Sequence, residues 1–212
     1  MNRSVDVIDL AKISGGFEDP VQDSQRCFRQ MLRALSSPGS IVECGVKPPP
    51  PAGLCSASTA LLLALLDSDC AVWISPGAGS SGLADFFRFH TGCTSASSMA
   101  VANFALIRNE LELPRLANFN WGSDEYPDRS VSLILQVEHL REGGPWQLTG
   151  PGIERSRSVC AGNLPLWFIG DWASLYASFP RGFEVFLCAD NKIMALSRTT
   201  RLSLQSDTCT SR

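Results

Sequence analysis

Apolar residues first fall into a clear helical period at Cys27, Phe28, Met31, Leu32 and Leu35, with Arg26, Arg29, Gln30 and Arg33 on the opposite face. The pattern predicts an amphipathic helix with Asp23 or Ser24 as its N-cap. It ends at Ser36-Ser37-Pro38-Gly39, because a residue before proline is pushed out of the α region and Gly39 can take a positive φ. Ile41 to Val46 reads as a strand and Pro48 to Pro51 as extended loop. Thr59 to Leu66 is apolar all round, which predicts a helix buried on most of its surface. Ala71 to Ile74 is a short apolar strand, followed by a Gly/Ser loop from Gly77 to Gly82 and an amphipathic helix from Leu83 to His90.

In the second half, Asn103 to Ile107 predicts a strand, and Glu112 to Trp121 a short helix that tolerates Pro114 in its first turn. Val131 to Val137 carries the strongest strand signal and should be central, buried on both faces. Gly143-Gly144 predicts a hairpin turn into Trp146 to Thr149, and a third run leading to Cys160 completes a meander. Leu164 to Phe179 has helical spacing and is stopped by Pro180. Phe183 to Ala189 and Ile193 to Ser197 flank Asp190-Asn191, a hairpin signal. Strands alternate with helices early and hairpins enter late. The expected fold is therefore α/β, a three-layer sandwich of a mixed sheet with helices on both faces. One domain is expected over residues 20–204, between a lead-in at 1–19 and a frayed tail at 205–212.

Composition narrows the function. With 44% apolar and 18% charged residues, the chain can build a sizeable core, which excludes intrinsic disorder. A net charge of -3 argues against nonspecific nucleic-acid binding. The longest apolar run, Ala60 to Leu66, is far short of the about 20 residues a membrane span needs. Asp6 and Asp9 interrupt the start of the chain, so no secretory signal is read there and a cytoplasmic location is expected. The eight cysteines contain no C-x-x-C pair and are expected to be reduced. His90 and Cys93 lack further metal ligands nearby, so no metal site is expected.

Candidate chemistry is sparse. Gly77-x-Gly79-x-x-Gly82 follows a strand and opens a helix, as a dinucleotide fingerprint would, but the acidic residue expected about 20 positions on is missing. A flexible surface turn and a nucleotide loop both stay open. No G-x-x-x-x-G-K-[ST] occurs. Arg198, Thr199 and Arg201 could clamp an anion with guanidinium forks, or could simply protect a sheet margin. Neither histidine sits in a triad context, so no catalytic residue is assigned. An independent nucleotide- or anion-binding enzyme, using Gly77 to Gly82 with Arg198 and Arg201, is the alternative these residues allow.

Several stretches taken together resemble one family. They are Pro20-Val21-Gln22-Asp23-Ser24-Gln25 running into Phe28-Arg29, then Ser37-Pro38-Gly39, Phe89-His90-Thr91-Gly92, Leu133-Ile134-Leu135-Gln136-Val137, Leu148-Thr149-Gly150-Pro151-Gly152-Ile153, Phe179-Pro180-Arg181-Gly182 and Arg198-Thr199-Thr200. In this order, from Gly16 to Leu204, they resemble the H subunit of the bacterial carbon-phosphorus lyase core complex. Ser197 stands where that family usually has Pro, and Glu184 where Asp is common. The resemblance implies a fold similar to the large domain of PLP-dependent transferases with the cofactor site lost, so no cofactor is expected. It implies an accessory subunit that joins the G, I and J subunits. With G, I and L it is required to transfer ribose triphosphate from ATP to an alkylphosphonate in organic phosphonate catabolism. Such a subunit is not catalytic alone and is a homodimer in isolation. Gln25, Phe28, Arg29, His90 and Thr91 are family-motif positions without an assigned role.

Overall fold

The computed structural model describes residues 15–77 and 79–205. Most of the expected lead-in and tail therefore lies outside the described residues, as does Cys209. The order of elements is α1 (Pro20–Ser36), β1 (Val42–Glu43), α2 (Ser56–Leu65), β2 (Ala71–Ile74), α3 (Ser80–Thr91), β3 (Thr94–Ser95), β4 (Phe104–Ile107), β5 (Ser132–Gln136), β6 (Leu140–Thr149), β7 (Arg157–Ala161), α4 (Trp167–Ala177), β8 (Glu184–Ala189), β9 (Lys192–Leu196) and β10 (Arg201–Leu204).

Seven strands form a mixed sheet in the order β1-β9-β8-β5-β4-β2-β3. β3, β2, β4, β5 and β8 run parallel; at one edge β9 pairs antiparallel with β8, and β1 pairs antiparallel with β9 and so runs with the parallel strands again. β5 sits in the middle, as its apolar run predicts, with Leu133, Ile134 and Leu135 buried. On one face the sheet buries Leu106, Ile134, Phe186 and Ile193 against Met31 of α1, Leu61 of α2 and Phe86 of α3. On the other it buries Leu133, Leu135, Val185 and Leu187 against Phe168 and Trp172 of α4 and against a second sheet.

That second sheet, β10-β6-β7, is antiparallel and corrects the expectation of helices alone on both faces. Trp146, Leu148, Val159 and Leu202 turn its inner face into the core, and Trp146 stacks on Phe168 with ring centroids 5.7 Å apart. Three further expectations change with it. Gly143-Gly144 does not turn the chain: β6 runs through it, with a register shift between Glu142 and Trp146, because glycines at φ 72 and 137 accommodate a bulge. The Arg-Thr cluster is followed by another strand, β10, which pairs with β6. Glu112 to Trp121 forms no α-helix; 3-10 turns at Glu110–Glu112 and Leu116–Asn118 stand there, as Pro114 removes an N–H and Arg115 before Leu116 is extended in ψ.

α1 starts four residues earlier than an Asp23 cap would allow. Pro20 takes the first helical position, where its missing N–H costs nothing, and Asp19 caps the helix by accepting from the Gln22 amide at 3.1 Å. The seven cysteines of the described residues carry free thiols. Among the described residues no helix is long and apolar enough to cross a membrane.

Candidate functional site

The parallel strands all end at one edge, and there the chain becomes polar: Ser75 after β2, Arg108 after β4, Gln136 closing β5 and Asp190 after β8. Chain direction also reverses beside this edge. The β2–β3 connection passes through α3 on one face, whereas the β4–β5 connection buries Leu113, Leu116 and Phe119 on the other. Open α/β sheets bind ligands at such carboxyl edges. A cavity of about 440 Å³ opens there, lined by Cys55, Arg108, Glu110, Gln136, Glu138, Asn163 and Asp190 among others.

Gln136 frames the cavity and is fully engaged. Its Oε1 accepts from the Cys55 amide at 2.6 Å and from the Ser58 hydroxyl, while its Nε2 donates to the carbonyls of Gly53 and Arg108, both at 3.0 Å. One carboxamide thus fixes the start of α2 to the end of β4. Arg108 lies along the neighbouring loop: Nη2 donates to the Pro76 carbonyl at 3.0 Å and pairs with Glu112 at 3.6 Å, whose Oε2 also accepts from the Ser75 hydroxyl. Gly77, at φ 148, leaves room for that guanidinium, since a Cβ there would collide with Arg108 Nη2. The glycine loop therefore accommodates a cation of the protein itself rather than standing as an empty phosphate cradle. Ala78 of that loop lies outside the described residues.

Glu110 is the deepest acid among the described residues, 7% exposed. Its Oε1 accepts from the amides of Glu138 and Asn163 at 3.3 and 3.1 Å, which orients the carboxylate. Asn163 Nδ2 in turn donates to Glu138 Oε2 at 2.8 Å. Three carboxylates, Glu110, Glu138 and Asp190, face one guanidinium around the cavity. Cys188 also lines it, but burial pushes its thiol well up, away from the reactive thiolate. Of the two described lysines, Lys47 and Lys192 are both exposed and neither lines the cavity, so the residues present do not fit PLP held as a Schiff base.

The anion clamp expected at the Arg-Thr cluster takes another form. Arg198 follows β9, which runs antiparallel to β8, and so lies at the opposite, amino edge of the sheet. Its Nε and Nη2 grip both carboxylate oxygens of Glu184 at 2.8 Å, Nη1 donates to the carbonyls of Pro127 and Pro180, and Nη2 also meets Ser130 Oγ at 3.2 Å. All of its donors are engaged within the fold. Thr199 Oγ1 bonds Ser197 Oγ, and Arg201 is exposed over the Tyr176 ring, with Nε on the phenol oxygen at 2.8 Å. The Gly77 loop and Arg198 sit at opposite edges, so they do not form the joint nucleotide site that the alternative reading requires.

Gln25, Phe28 and Arg29 are all exposed on α1. Phe28 and Leu32, 45% and 50% exposed, flank a groove of about 330 Å³ floored by Leu65, Phe104 and Phe186. His90 packs against Phe86 at 4.6 Å between ring centroids. Thr91 closes α3, donating to the Phe87 carbonyl and accepting from the Cys93 amide. Neither His90 nor Thr91 lines the cavity.

Glu110, Glu138, Asn163 and Asp190 were not singled out by motif. For Glu110, Glu138 and Asp190 the signal is positional, because polar residues following the apolar parallel strands mark the carboxyl edge; Asn163 follows β7 of the second sheet and has no such signal.

A family model described as bacterial phosphonate metabolism protein (PhnH) matches residues 15–203. The chain is 37% identical over 189 residues to alpha-D-ribose 1-methylphosphonate 5-triphosphate synthase subunit PhnH of Rhizobium meliloti (strain 1021), an alignment covering 89% of this chain and 94% of the relative. It is also 33% identical over 187 residues to a protein of Stutzerimonas stutzeri named putative C-P lyase subunit protein HtxG, covering 85% and 86% of the two chains.

Proposed function

The chain belongs to the PhnH family of bacterial phosphonate metabolism proteins, and from that membership we propose that it is an accessory subunit of a carbon-phosphorus lyase core assembly. It is required, with G, I and L subunits, for transfer of ribose triphosphate from ATP to an alkylphosphonate, and it joins G, I and J in the core. The observation that carries this reading is the match across nearly the whole described chain to a relative named as a subunit of the ribose methylphosphonate triphosphate synthase. The cavity is lined by carboxylates, carboxamides, one engaged guanidinium and the thiols of Cys55 and Cys188, the latter kept protonated by burial.

The proposal extends to the finer points. Residues 20–204 work as one α/β unit in the cytoplasm, related in fold to the large domain of PLP-dependent transferases but without that cofactor, and the free chain is a homodimer. The anion-clamp role of Arg198, Thr199 and Arg201 narrows to Arg201, the one cation of the three that is exposed. For the I subunit we assign the face of α1, where Phe28 and Leu32 stand out among Gln25, Arg29 and Arg33 as an apolar centre with a polar rim.

Co-expression with G, I and J subunits tests this. The unaltered chain is expected to co-purify with them, and Phe28→Asp with Leu32→Asp to lose that association while keeping its circular dichroism spectrum. A chain that never co-purifies, or a double variant that co-purifies as well as the unaltered chain, overturns the role or the surface respectively.

A further inference from the structure

We propose that the carboxyl-edge cavity is a binding site for the vicinal diol of a ribose, with Glu110 as its principal acceptor; the choice of ribose over other hydroxyl-rich ligands rests on the role proposed above. Three observations carry it. The first is place: the cavity of about 440 Å³ lies at the carboxyl ends of β4, β5 and β8, and its volume suits a small molecule.

The second is the state of Glu110. Its side chain is buried, and two backbone amides hold Oε1. Oε2 receives no hydrogen bond from the described residues, although the residue lines the cavity. A carboxylate fixed by one oxygen and open at the other is a preorganised acceptor. In dinucleotide-binding α/β sheets an acidic residue at this edge receives a ribose hydroxyl.

The third is charge. Glu110, Glu138 and Asp190 outweigh Arg108, whose Nη2 is already shared between Pro76 and Glu112. A phosphate or phosphonate group would meet net repulsion here, whereas O–H donors meet acceptors. Among the described residues no group suited to holding a metal ion is present. The ligand therefore enters with its hydroxyls inward and its anionic groups toward solvent. Asn163, tied to Glu138 Oε2, holds the rim.

The test uses the full chain and three probes, followed by calorimetry and by amide shifts in nitrogen-15 spectra. Adenosine is expected to bind and to move the resonances of Glu110, Glu138 and Asn163. 2′,3′-Dideoxyadenosine is expected to bind about tenfold or more weakly, the cost of losing hydrogen bonds to a charged acceptor. Glu110→Gln keeps a carbonyl for the two backbone amides but replaces the open acceptor with an NH2 donor. It is expected to weaken adenosine to the same degree, with the remaining spectrum unchanged. Equal binding of the dideoxy compound, displacement of adenosine from these resonances by tripolyphosphate or by ethylammonium, or no binding at millimolar adenosine overturns the proposal. Should Glu110→Gln misfold, the dideoxy comparison on the unaltered chain still decides. A chain that co-purifies with its partners but ignores adenosine loses this site and keeps the role; one that binds adenosine but no partner keeps the site and loses the role.

Discussion

The two edges of the seven-stranded sheet treat charge in opposite ways. At the amino edge, Arg198 places every N–H on an acceptor of the fold, and its partner Glu184 is gripped at both oxygens. At the carboxyl edge, Glu110 is held by two backbone amides at 3.3 and 3.1 Å, and only one of its oxygens is used among the described residues. A charged group with all its hydrogen-bonding capacity met inside the protein is a structural clamp. One that keeps an atom open toward a cavity is placed to bind. By residue type alone the arginine cluster looked the better site; the count of satisfied atoms reverses the order.

Five substitutions sharpen this contrast, beginning with the largest effect. Arg198→Met strands Glu184 and leaves the Pro127 and Pro180 carbonyls unpaired, so a loss of about 3 kcal/mol is expected from urea midpoints. Arg198→Lys should recover only part of it, because an ammonium cannot fill a planar fork. Gln136→Leu leaves the Cys55 amide and the Arg108 carbonyl without their partner and should cost about 2 kcal/mol in the same measurement. Gly77→Val forces a side chain into the left-handed region and into the Arg108 guanidinium, for about 1–2 kcal/mol seen as a lowered melting temperature.

Asp171→Asn has the smallest effect, under about 1 kcal/mol, because its partner Arg115 is largely exposed. Its signature is the pH dependence. The Arg115 guanidinium holds the Asp171 carboxyl below its ordinary value, helped by the Leu116 amide. A group depressed in the folded state contributes stability above its unfolded pKa and loses it as pH falls through the folded value. Melting curves of the two proteins should therefore differ by a constant amount down to about pH 4 and converge below it.

Much of the fold was legible because its signals are local. Val131 to Val137 is apolar enough to be central, and it is; Asp190-Asn191 is a hairpin turn between β8 and β9, with Asp190 at φ 51. Ser37-Pro38-Gly39 stops α1 as expected, with Gly39 at φ 78. What was illegible depends on partners distant in sequence. β10 carries no strand signal of its own until it lies beside β6, and Gly143-Gly144 looks the same in a bulge as in a turn. The cavity suffered likewise: Asn109 to Leu111 carry no signal of their own, and only closure of this segment over residues 138 and 163 buries Glu110. Gln136 was within reach, a lone carboxamide ending an apolar strand, where an unpaired amide would be costly.

On the proposed role, this chain is needed for the transfer of ribose triphosphate but does not itself perform it. The most direct measurement is adenine release from ATP and methylphosphonate by purified G, I and L subunits, with and without this chain, and by the chain alone. Release only when all four are mixed is the predicted result. Release at an equal rate without this chain, or release by the chain alone, contradicts it.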